Sequence, residues 1–461
     1  MRIKSQHWKF VLLGLAFMLP LAFLCLFSHP AADDFPISHT ARDWGSYTSV
    51  VGYYKCWSAR YTSIFLMSVN PLVFGSFFGY KLIPILVMAG LFLSVRFFLT
   101  GLWGSGKSIL PLAILMTLVF LLSMSDLPGG LYYLGGSLFY QPGNMLLAVL
   151  IGSLFRNPPP SSLSGLKLCA WATGIVQGFL LILLVGCNEI CMMLALAISG
   201  TGLFFELLLR KKVSAGWILL LLVSIISTLI VLKSPATFYR MEANGGFGRN
   251  WPEIFMNASN GMFMAFFHWF SSPALSVFLL LAAIMPLSPL EKLNLNKFFR
   301  WGISAASILL FYFCFVPSFL GEGLLQGRTE NSLLFLFLIL YLLNLRIWKS
   351  HWKTEIIYEK TKSWLVLAFF ISLCLSPAFL LAISDLVSGE AAAFSAERDY
   401  RDSVMRNTPG DSIWIEPLRH KPKSLFAGDI GDYPDPWYDN HFAELYGKRF
   451  VHLKPGGGAK P

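Results

Sequence analysis

Long runs of apolar residues, separated by short polar stretches, dominate the hydrophobic pattern of this chain. Most runs have about 18 to 25 residues, the length at which an α-helix crosses a hydrocarbon layer of about 30 Å. The first run follows a basic N-terminus, as in a signal peptide, but its apolar stretch is long enough to favour an uncleaved span. The pattern predicts about eleven transmembrane helices, near residues 10–28, 79–99, 109–125, 131–155, 165–187, 190–209, 215–232, 261–287, 301–320, 331–345 and 364–384.

The polar stretches between the runs predict where the chain leaves the membrane. The longest, residues 29–78, has apolar residues at helical spacing beside polar ones, which predicts helices lying along the membrane surface. A second long loop, residues 233–260, is expected to fold over the first. The composition turns polar near the C-terminus, so we divide the chain into a transmembrane domain, 1–384, and a small appendage, 385–461, with one strand in SIWIEPL.

The composition indicates that the chain lies in a lipid bilayer, and the distribution of charge indicates its orientation there. Hydrophobic residues make up 55% and charged residues 13%, and the mean hydropathy is +0.61, which is typical of an integral membrane protein. Lys and Arg gather at alternate ends of the runs, beginning with Arg2 and Lys4, and this predicts a cytoplasmic N-terminus and an extracytoplasmic C-terminus. The net charge of +11 largely reflects this signal. The sequence contains no basic-aromatic binding module, so we expect no nucleic-acid partner.

Two adjacent acids, Asp33 and Asp34, follow the first predicted span almost directly, in HPAADDFPISH. Charge at the headgroup boundary is costly unless it is paired or used. One carboxylate of such a pair can act as a general base while the other binds a divalent cation. His29 and His39 flank the pair, and His29, Asp33 and Asp34 are candidate metal ligands, although lone loop histidines are usually not ligands. A solvated acidic turn is the alternative of equal weight.

Asp126, in SDLPGG, and Glu189, in GCNEIC, occupy very short turns on the same predicted side of the membrane. Such turns lie close to the lipid surface, which favours site residues over mobile surface charges. An acid that caps a helix end is the alternative for each.

Arg328 is the only basic residue of its predicted outer loop, GEGLLQGRTEN, against the retention rule for basic residues. A guanidinium suits bidentate capture of a phosphate. A local ion pair with Glu322 or Glu330 is the competing interpretation.

The segment GLWGSGKS, residues 101–108, fits the phosphate-loop pattern of nucleotide-binding proteins. That loop needs a preceding strand and a helix whose N-terminus cradles phosphate. Here the segment lies between two apolar runs, so we interpret the match as a coincidence and Lys107 as a cytoplasmic retention charge.

These features together resemble the GT-C superfamily of membrane glycosyltransferases, particularly its bacterial members. The resemblance rests on the basic N-terminus, one span, the acidic pair directly after it, WSARYTS in a long outer loop, and many further spans. The tail adds WYDNHFAELYGKR, residues 437–449, which looks like the closing segment of those relatives. The likeness covers the whole chain in architecture, through motifs that are short.

The resemblance implies transfer of a sugar from a polyprenyl-phosphate carrier to a glycan or glycolipid acceptor. Transfer would occur at the outer face of the bacterial cytoplasmic membrane, usually with inversion at the anomeric carbon. The family's catalytic acid would be Asp33 or Asp34, and the arginine that holds the lipid phosphate would be Arg328. The family's second acid has no clear match, and Asp126 and Glu189 are candidates only.

The resemblance leaves two further points open. Trp57, Arg60 and Tyr61 match a loop signature, for which packing onto the spans is the expected role. Metal dependence differs among relatives, so a Mg²⁺ or Mn²⁺ cofactor is neither implied nor excluded.

A multi-span transporter or flippase for lipid-linked or small polar substrates is the main alternative from another class. Transporters usually bind their substrates near mid-bilayer on broken helices and often contain internal repeats. We find no convincing repeat, and the predicted acids cluster outside. A polysaccharide polymerase or ligase and a non-catalytic assembly partner are further alternatives, and neither the sugar nor the acceptor follows from the sequence.

Overall fold

The computed structural model describes residues 2–160, 168–211, 214–243, 250–287, 296–321, 323–349, 355–432 and 437–454. Helices form nearly all of the secondary structure in these ranges. The prediction of an all-α integral membrane protein is confirmed at this level.

The helices differ widely in length, from short surface helices to helices of more than 20 residues. The first half of the described chain contains α1 (Arg2–Leu24), α2 (Asp34–Trp44), α3 (Ser46–Cys56), α4 (Tyr61–Ser68), α5 (Phe77–Trp103), α6 (Ile109–Leu122), α7 (Leu134–Arg156), α8 (Leu168–Val185), α9 (Glu189–Arg210) and α10 (Ala215–Leu232). The second half contains α11 (Pro235–Ala243), α12 (Trp251–Ser271), α13 (Pro273–Ile284), α14 (Lys297–Phe313), α15 (Val316–Gly321), α16 (Gly327–Lys349), α17 (Glu355–Cys374), α18 (Pro377–Val387), α19 (Glu390–Asn407), β1 (Ser412–Ile415), α20 (Trp437–Leu445) and β2 (Phe450–Leu453).

Within these ranges, seven helices are long and apolar enough to cross a membrane. The number rises to nine if two bent pairs each form one span: α12 with α13, which meet at 85°, and α17 with α18, which meet at 52°. Two of the predicted spans correspond to shorter apolar helices, Ile109–Leu122 and Ala172–Val185. The chain is therefore a multi-pass membrane protein, while the count of eleven remains a prediction.

Helix α1 presents one apolar face outward and another inward. Leu12, Leu15, Leu19 and Phe23, spaced three to four residues apart, are each more than half exposed, whereas Leu21 is fully buried. Residues at this spacing share one face of a helix. A continuous apolar stripe of this kind is stable in contact with lipid tails and unstable in water.

Helix α6 lies in the interior, with nearly all of its residues buried. Its 14 residues extend about 21 Å, less than a hydrocarbon layer. Residues 101–103 are the end of α5 and residues 104–108 connect it to α6, so GLWGSGKS follows a helix and not a strand, as its interpretation as a coincidence requires. A Cβ on Gly101 would overlap the backbone of Gly152, so this glycine allows close packing of α5 against α7.

Several helix ends and loops that are distant in sequence meet at one end of the bundle, which we call the Asp33 face. It contains α2, α3 and α4, the surface helices predicted for the first loop, and the turns that precede α7, α9 and α16. Hydrogen bonds connect these segments, including Thr62 N–H to Gly186 O at 3.0 Å and Asn331 Nδ2 to Asp126 O at 2.6 Å. At the opposite end, Lys349 Nζ donates to the carbonyl of Ala282 at 3.0 Å.

The C-terminal segment packs on the Asp33 face. Strands β1 and β2 pair in parallel, with Ser412 opposite Phe450, and β1 confirms the strand predicted in SIWIEPL. Helix α19 is fixed to the following loop by a buried ion pair, in which Arg401 Nη1 lies 2.6 Å from Asp429 Oδ1.

Candidate functional site

The turn between α1 and α2 directs the two adjacent acids to different surroundings. Ala32 adopts a left-handed backbone conformation, with φ of 40°, which costs a non-glycine residue about 1–2 kcal/mol. Asp33 is the N-cap of α2 and Asp34 is its first residue. The Ala31 amide donates to Asp34 Oδ2 at 3.1 Å, which closes the turn.

Asp34 is completely buried. Tyr80 donates its hydroxyl to Asp34 Oδ2 at 2.7 Å, and the Gly135 amide donates to Oδ1 at 2.8 Å. Burial raises the pKa of Asp34 to about 7, and these hydrogen bonds offset only part of the rise. Asp34 is therefore an enclosed group that joins α2, α5 and the start of α7, and the solvated-turn alternative does not hold for it.

Asp33 is only partly buried and faces another partner. Tyr133 donates its hydroxyl to Asp33 Oδ2 at 2.8 Å and accepts the Asp33 amide at 3.2 Å. Burial, and then the negative charge of Asp33, raises the pKa of Tyr133 well above its usual range. Tyr133 thus remains a neutral donor that orients the more accessible of the two carboxylates.

His29 does not join the acid pair in a metal-binding group. Its Nε2 lies 2.9 Å from Ser395 Oγ on α19 and 3.8 Å from Asp399. Burial, followed by the charges of Lys81 and Arg398, lowers the pKa of His29 well below its usual range. Among the described residues, convergent His and carboxylate ligand atoms occur instead between α2 and α20. The predicted set of His29, Asp33 and Asp34 is therefore not assembled.

Asp126 and Arg328 lie near each other where α6 ends and α16 begins. Asp126 Oδ1 accepts the Gly129 amide at 2.8 Å, so the capping role considered for this acid is present. Burial raises the pKa of Asp126, while that hydrogen bond and the charge of Arg328 offset part of the rise. Arg328 Nε donates to Gln326 Oε1 at 2.5 Å.

The sequence offered Glu322 and Glu330 as possible ion-pair partners of Arg328. Glu330 accepts a contact from His268, whose Nδ1 lies 3.2 Å from Glu330 Oε1. Glu322 lies outside the described residues.

Glu189 is the first residue of α9 and pairs with Arg60 from the first loop. Arg60 Nε donates to Oε1 at 3.1 Å and Nη2 donates to Oε2 at 2.7 Å, which is bidentate geometry. The neighbouring Tyr61 donates to the carbonyl of Ile182 at 2.5 Å, and Arg240 lies over the ring of Trp57 at 5.9 Å. The predicted packing of WSARYTS onto the spans is therefore observed.

A cavity of about 400 Å³ opens beside the Arg60–Glu189 pair. This volume is within the usual range of small-molecule sites. One part of its wall is polar and the rest is mainly aliphatic, aromatic or thioether in character. The polar part includes Arg60, Tyr140, Asn188, Glu189, Arg240 and Thr329, and the apolar part includes Met192, Met193, Val231, Phe313, Val316 and Leu320.

Helices α7 and α16 connect the acid pair with this cavity. Tyr133, the partner of Asp33, precedes α7 directly, and Tyr140 lines the cavity about 10 Å further along the helix axis. Thr329 donates its hydroxyl to Tyr140 at 3.0 Å, and it follows Arg328 in the chain. The structure thus places Asp33, Asp126, Glu189 and Arg328 near the first turns of these two helices.

Three contributors to the site were not predicted from the sequence: Tyr80, Tyr133 and Arg240. The doublet Tyr132-Tyr133 in PGGLYYLGG was the available signal, because aromatic hydroxyls in a short glycine-rich turn are held near the lipid surface. Tyr80 and Arg240 carry no comparable local signal, since each acquires its role from contacts between distant segments.

The arrangement combines groups suited to proton transfer, anion binding and apolar contact. A half-buried carboxylate oriented by a neutral phenol can accept a proton, and arginines can bind a phosphate. The resemblance to GT-C glycosyltransferases remains an expectation from the residues of this chain. No protein-family model, curated protein or solved structure matches the sequence or the fold.

Proposed function

We propose that this chain is a membrane glycosyltransferase that moves a sugar from a polyprenyl-phosphate donor to a glycan or lipid acceptor. One observation carries the proposal. The partly exposed carboxylate of Asp33 is fixed by Tyr133 at the start of the helix that also lines an apolar cavity with arginines in its polar wall. A lipid-linked sugar phosphate has the matching chemistry, with an isoprenoid chain, an anionic group and a reactive sugar carbon.

Asp33 is the acid that we assign to the acceptor. It would take the proton of the acceptor hydroxyl as that oxygen attacks the anomeric carbon, and the bond from that carbon to the phosphate oxygen would break with inversion. A positioned base of this kind contributes about 100- to 10,000-fold to the rate. Asp34, which is completely buried, is better suited to holding the turn in place.

The donor phosphate requires positive charge, because negative charge accumulates on the leaving oxygen in the transition state. Among the described residues that line the cavity, Arg60 and Arg240 outnumber the one carboxylate, Glu189. Arg328, predicted for this role, immediately precedes the cavity residue Thr329. We assign phosphate binding to Arg328, with Arg60 and Arg240 supplying a positive field and Glu189 orienting Arg60.

The apolar wall of the cavity is consistent with the lipid part of the donor. Met192 and Met193 contribute flexible thioether side chains, which adapt to irregular apolar ligands. Val316 and Leu320 complete a surface against which the first isoprene units would pack.

The charge pattern supports a proposal about which side of the membrane the site faces. Lys107, Arg156, Arg346 and Lys349 lie at the end of the bundle opposite the Asp33 face. Basic residues near span ends stay on the cytoplasmic side. We therefore propose a bacterial cytoplasmic membrane protein of eleven spans, with the Asp33 face extracytoplasmic, where donors are lipid-linked.

A transporter or flippase is the second candidate, and a particular observation favours it. Helices α12 and α13 meet at 85°, and His268, one turn before this break, contacts Glu330 at 3.2 Å. Broken helices beside ionisable groups are typical of transport sites. In that alternative, Asp33 and Tyr133 have no assigned role.

The test is complementation of a strain that lacks the chain, with mass spectrometry of its surface glycolipids. We expect Asp33→Asn to reduce transfer by about 100-fold or more at normal protein abundance. Asp399→Asn is the matched control, because this acid also lies on the Asp33 face and its side chain is 66% exposed. Normal transfer by Asp33→Asn would remove Asp33 from the mechanism.

Two adjacent tyrosines provide a second comparison. Tyr133→Phe removes the donor to Asp33 and should lower transfer by about 10-fold, the order expected for a lost hydrogen bond to a charged group. Tyr132→Phe is its control, because Tyr132 donates to the carbonyl of Leu21 at 2.9 Å, away from the acids. Movement of a lipid-linked sugar between leaflets of proteoliposomes, without a new glycosidic bond, would favour the transporter.

A further inference from the structure

Helix α20 of the C-terminal segment packs against α2 of the first loop. The rings of Phe35 and Phe442 meet edge to face, with centroids 5.0 Å apart. Arg42 adds a hydrogen bond from Nη1 to the carbonyl of Leu445 at 3.1 Å. This interface fixes α2 and α20 relative to each other, and it thereby fixes the side chains that lie beside it.

Two imidazoles and a carboxylate converge at this interface. His39 comes from α2, and His441 and Glu444, three residues apart on one face, come from α20. One ligand atom from each of the three lies within 4.8 Å of the others. Glu444 Oε2 is 2.6 Å from His441 Nδ1 and 3.6 Å from His39 Nδ1.

Asp43 provides an independent indication that His39 can bind a cation. Its Oδ2 lies 3.3 Å from His39 Nε2, one helical turn along α2. A carboxylate in this position keeps the proton of a neutral imidazole on Nε2 and leaves the Nδ1 lone pair free to bind. His39 Nδ1 and Glu444 Oε2 would then be two acceptors directed at the same place, an arrangement that a cation between them stabilises.

We propose that His39, His441 and Glu444 bind a divalent transition-metal ion of the Zn²⁺ type. Two nitrogens and one carboxylate oxygen are a usual zinc ligand set, and tetrahedral geometry at Zn–N distances of 2.0–2.1 Å separates ligand atoms by about 3.3 Å. Glu444 Oε2 lies 2.6 Å from His441 Nδ1 and 3.6 Å from His39 Nδ1, one distance below and one above that value. His39 and His441 side chains are each 22% exposed, so an ion can enter and a water can occupy the fourth position.

The bound ion would join the C-terminal segment to the first loop. Helix α2 begins with Asp34 and carries His39 little more than one turn later. An ion that links α2 to α20 would therefore restrict the same helix that positions the acid pair. This inference does not depend on sugar transfer, because it concerns metal binding and stability alone.

Metal binding is measured with the untagged, purified full chain in detergent after removal of metal by a chelator. Titration with Zn²⁺ should show one ion per chain, and Co²⁺ should give the visible absorption of a tetrahedral site. We expect His39→Ala and Glu444→Gln to weaken binding at least 100-fold, and Asp43→Asn to weaken it by about 10- to 100-fold.

His420→Ala is the matched control, because His420 also contacts carboxylates of this segment, with Nδ1 2.9 Å from Glu390 Oε2. It should retain the affinity of the parent. Thermal unfolding provides a second readout: Zn²⁺ should raise the midpoint of the parent and of His420→Ala, and not that of Glu444→Gln. Absence of Zn²⁺ binding by the parent, or equal affinity in His39→Ala, would overturn the proposal, whatever the transfer activity.

Discussion

Asp33 and Asp34 are neighbours in the chain, yet their side chains have different partners and different exposure. The left-handed conformation of Ala32 begins the turn that separates them. Asp34 is enclosed by Tyr80 and backbone amides, and Asp33 is held by Tyr133 at a partly open position. Proteins commonly give two nearby carboxylates different roles by placing them in different environments, which moves their pKa values apart.

Asp34 leads to a prediction about pH. Burial raises its pKa from 3.8 to about 7, so between these values the folded chain keeps a proton that the unfolded chain has released. Its contribution to stability is therefore full below about pH 4 and is lost as the pH rises towards 7. The Asp34→Asn variant cannot ionise, so the thermal midpoint of the parent should fall relative to that of the variant between about pH 4 and about pH 7.

Unfolding of both proteins in detergent, followed by circular dichroism, measures this difference. Asp399→Asn should follow the parent at every pH, because its side chain is largely exposed. A constant difference between the parent and Asp34→Asn across the range would show that Asp34 has the same protonation in the folded and the unfolded chain there.

At the scale of elements, the short turn between α8 and α9 fixes the first loop. Thr62 and Ser63 donate their amides to the carbonyl of Gly186, and the Thr62 hydroxyl donates to Leu183 O at 2.8 Å. The same turn leads into Glu189, which binds Arg60. Helix α4 therefore begins where α8 ends, and the polar wall of the cavity depends on this contact.

Gly186 allows this close approach, which gives a prediction for substitution. A Cβ at residue 186 would overlap the ring of Tyr61 and the hydroxyl of Thr62. Gly186→Ala should therefore displace the first loop and cost about 1–3 kcal/mol of stability. Gly178→Ala, in α8 itself, is the matched control, since a Cβ there has no neighbour within 4 Å.

The two alanine variants should differ in their thermal midpoints in detergent and in transfer activity. Gly178→Ala is expected to be neutral or to stabilise by about 0.5–1 kcal/mol, because alanine loses less backbone entropy in a helix. Equal midpoints for both variants would mean that the first loop does not pack on Gly186 in the purified protein.

At the scale of the whole molecule, the two ends of the helix bundle differ in the chemistry of their residues. The Asp33 face contains the acid pair, the cavity and the C-terminal segment. The opposite end contains short turns and basic side chains, among them Lys107, which is exposed between α5 and α6. From this charge pattern we propose that the site lies on the extracytoplasmic side.

Cysteine labelling tests this orientation. Cys56 is exposed at the end of α3 on the Asp33 face. With the remaining cysteines replaced by alanine, an impermeant maleimide should modify Cys56 in intact cells. In a background that also lacks Cys56, Lys107→Cys should react only after the membrane is permeabilised. The reverse labelling pattern would invert the orientation and contradict an extracytoplasmic site.

The sequence alone determined the class of fold and the segments that leave the lipid. Runs of apolar residues must be removed from water over their whole length, and this requirement can be read locally from length and spacing. The helices of the first loop and the strand at Ser412–Ile415 could also be predicted locally, because their patterns repeat at helical or strand periods. The side of the membrane and the number of spans remain predictions from charge and hydropathy.

Only the tertiary structure decided which side chains act together. The partner of Asp33 is 100 residues away at Tyr133, and the partner of Arg60 is 129 residues away at Glu189. His39 meets His441 and Glu444 in the same manner. These pairings depend on how helices pack, and a local pattern of hydrophobicity does not specify a distant partner. For this reason the sequence identified the acid pair, while the fold separated an enclosed Asp34 from an accessible Asp33.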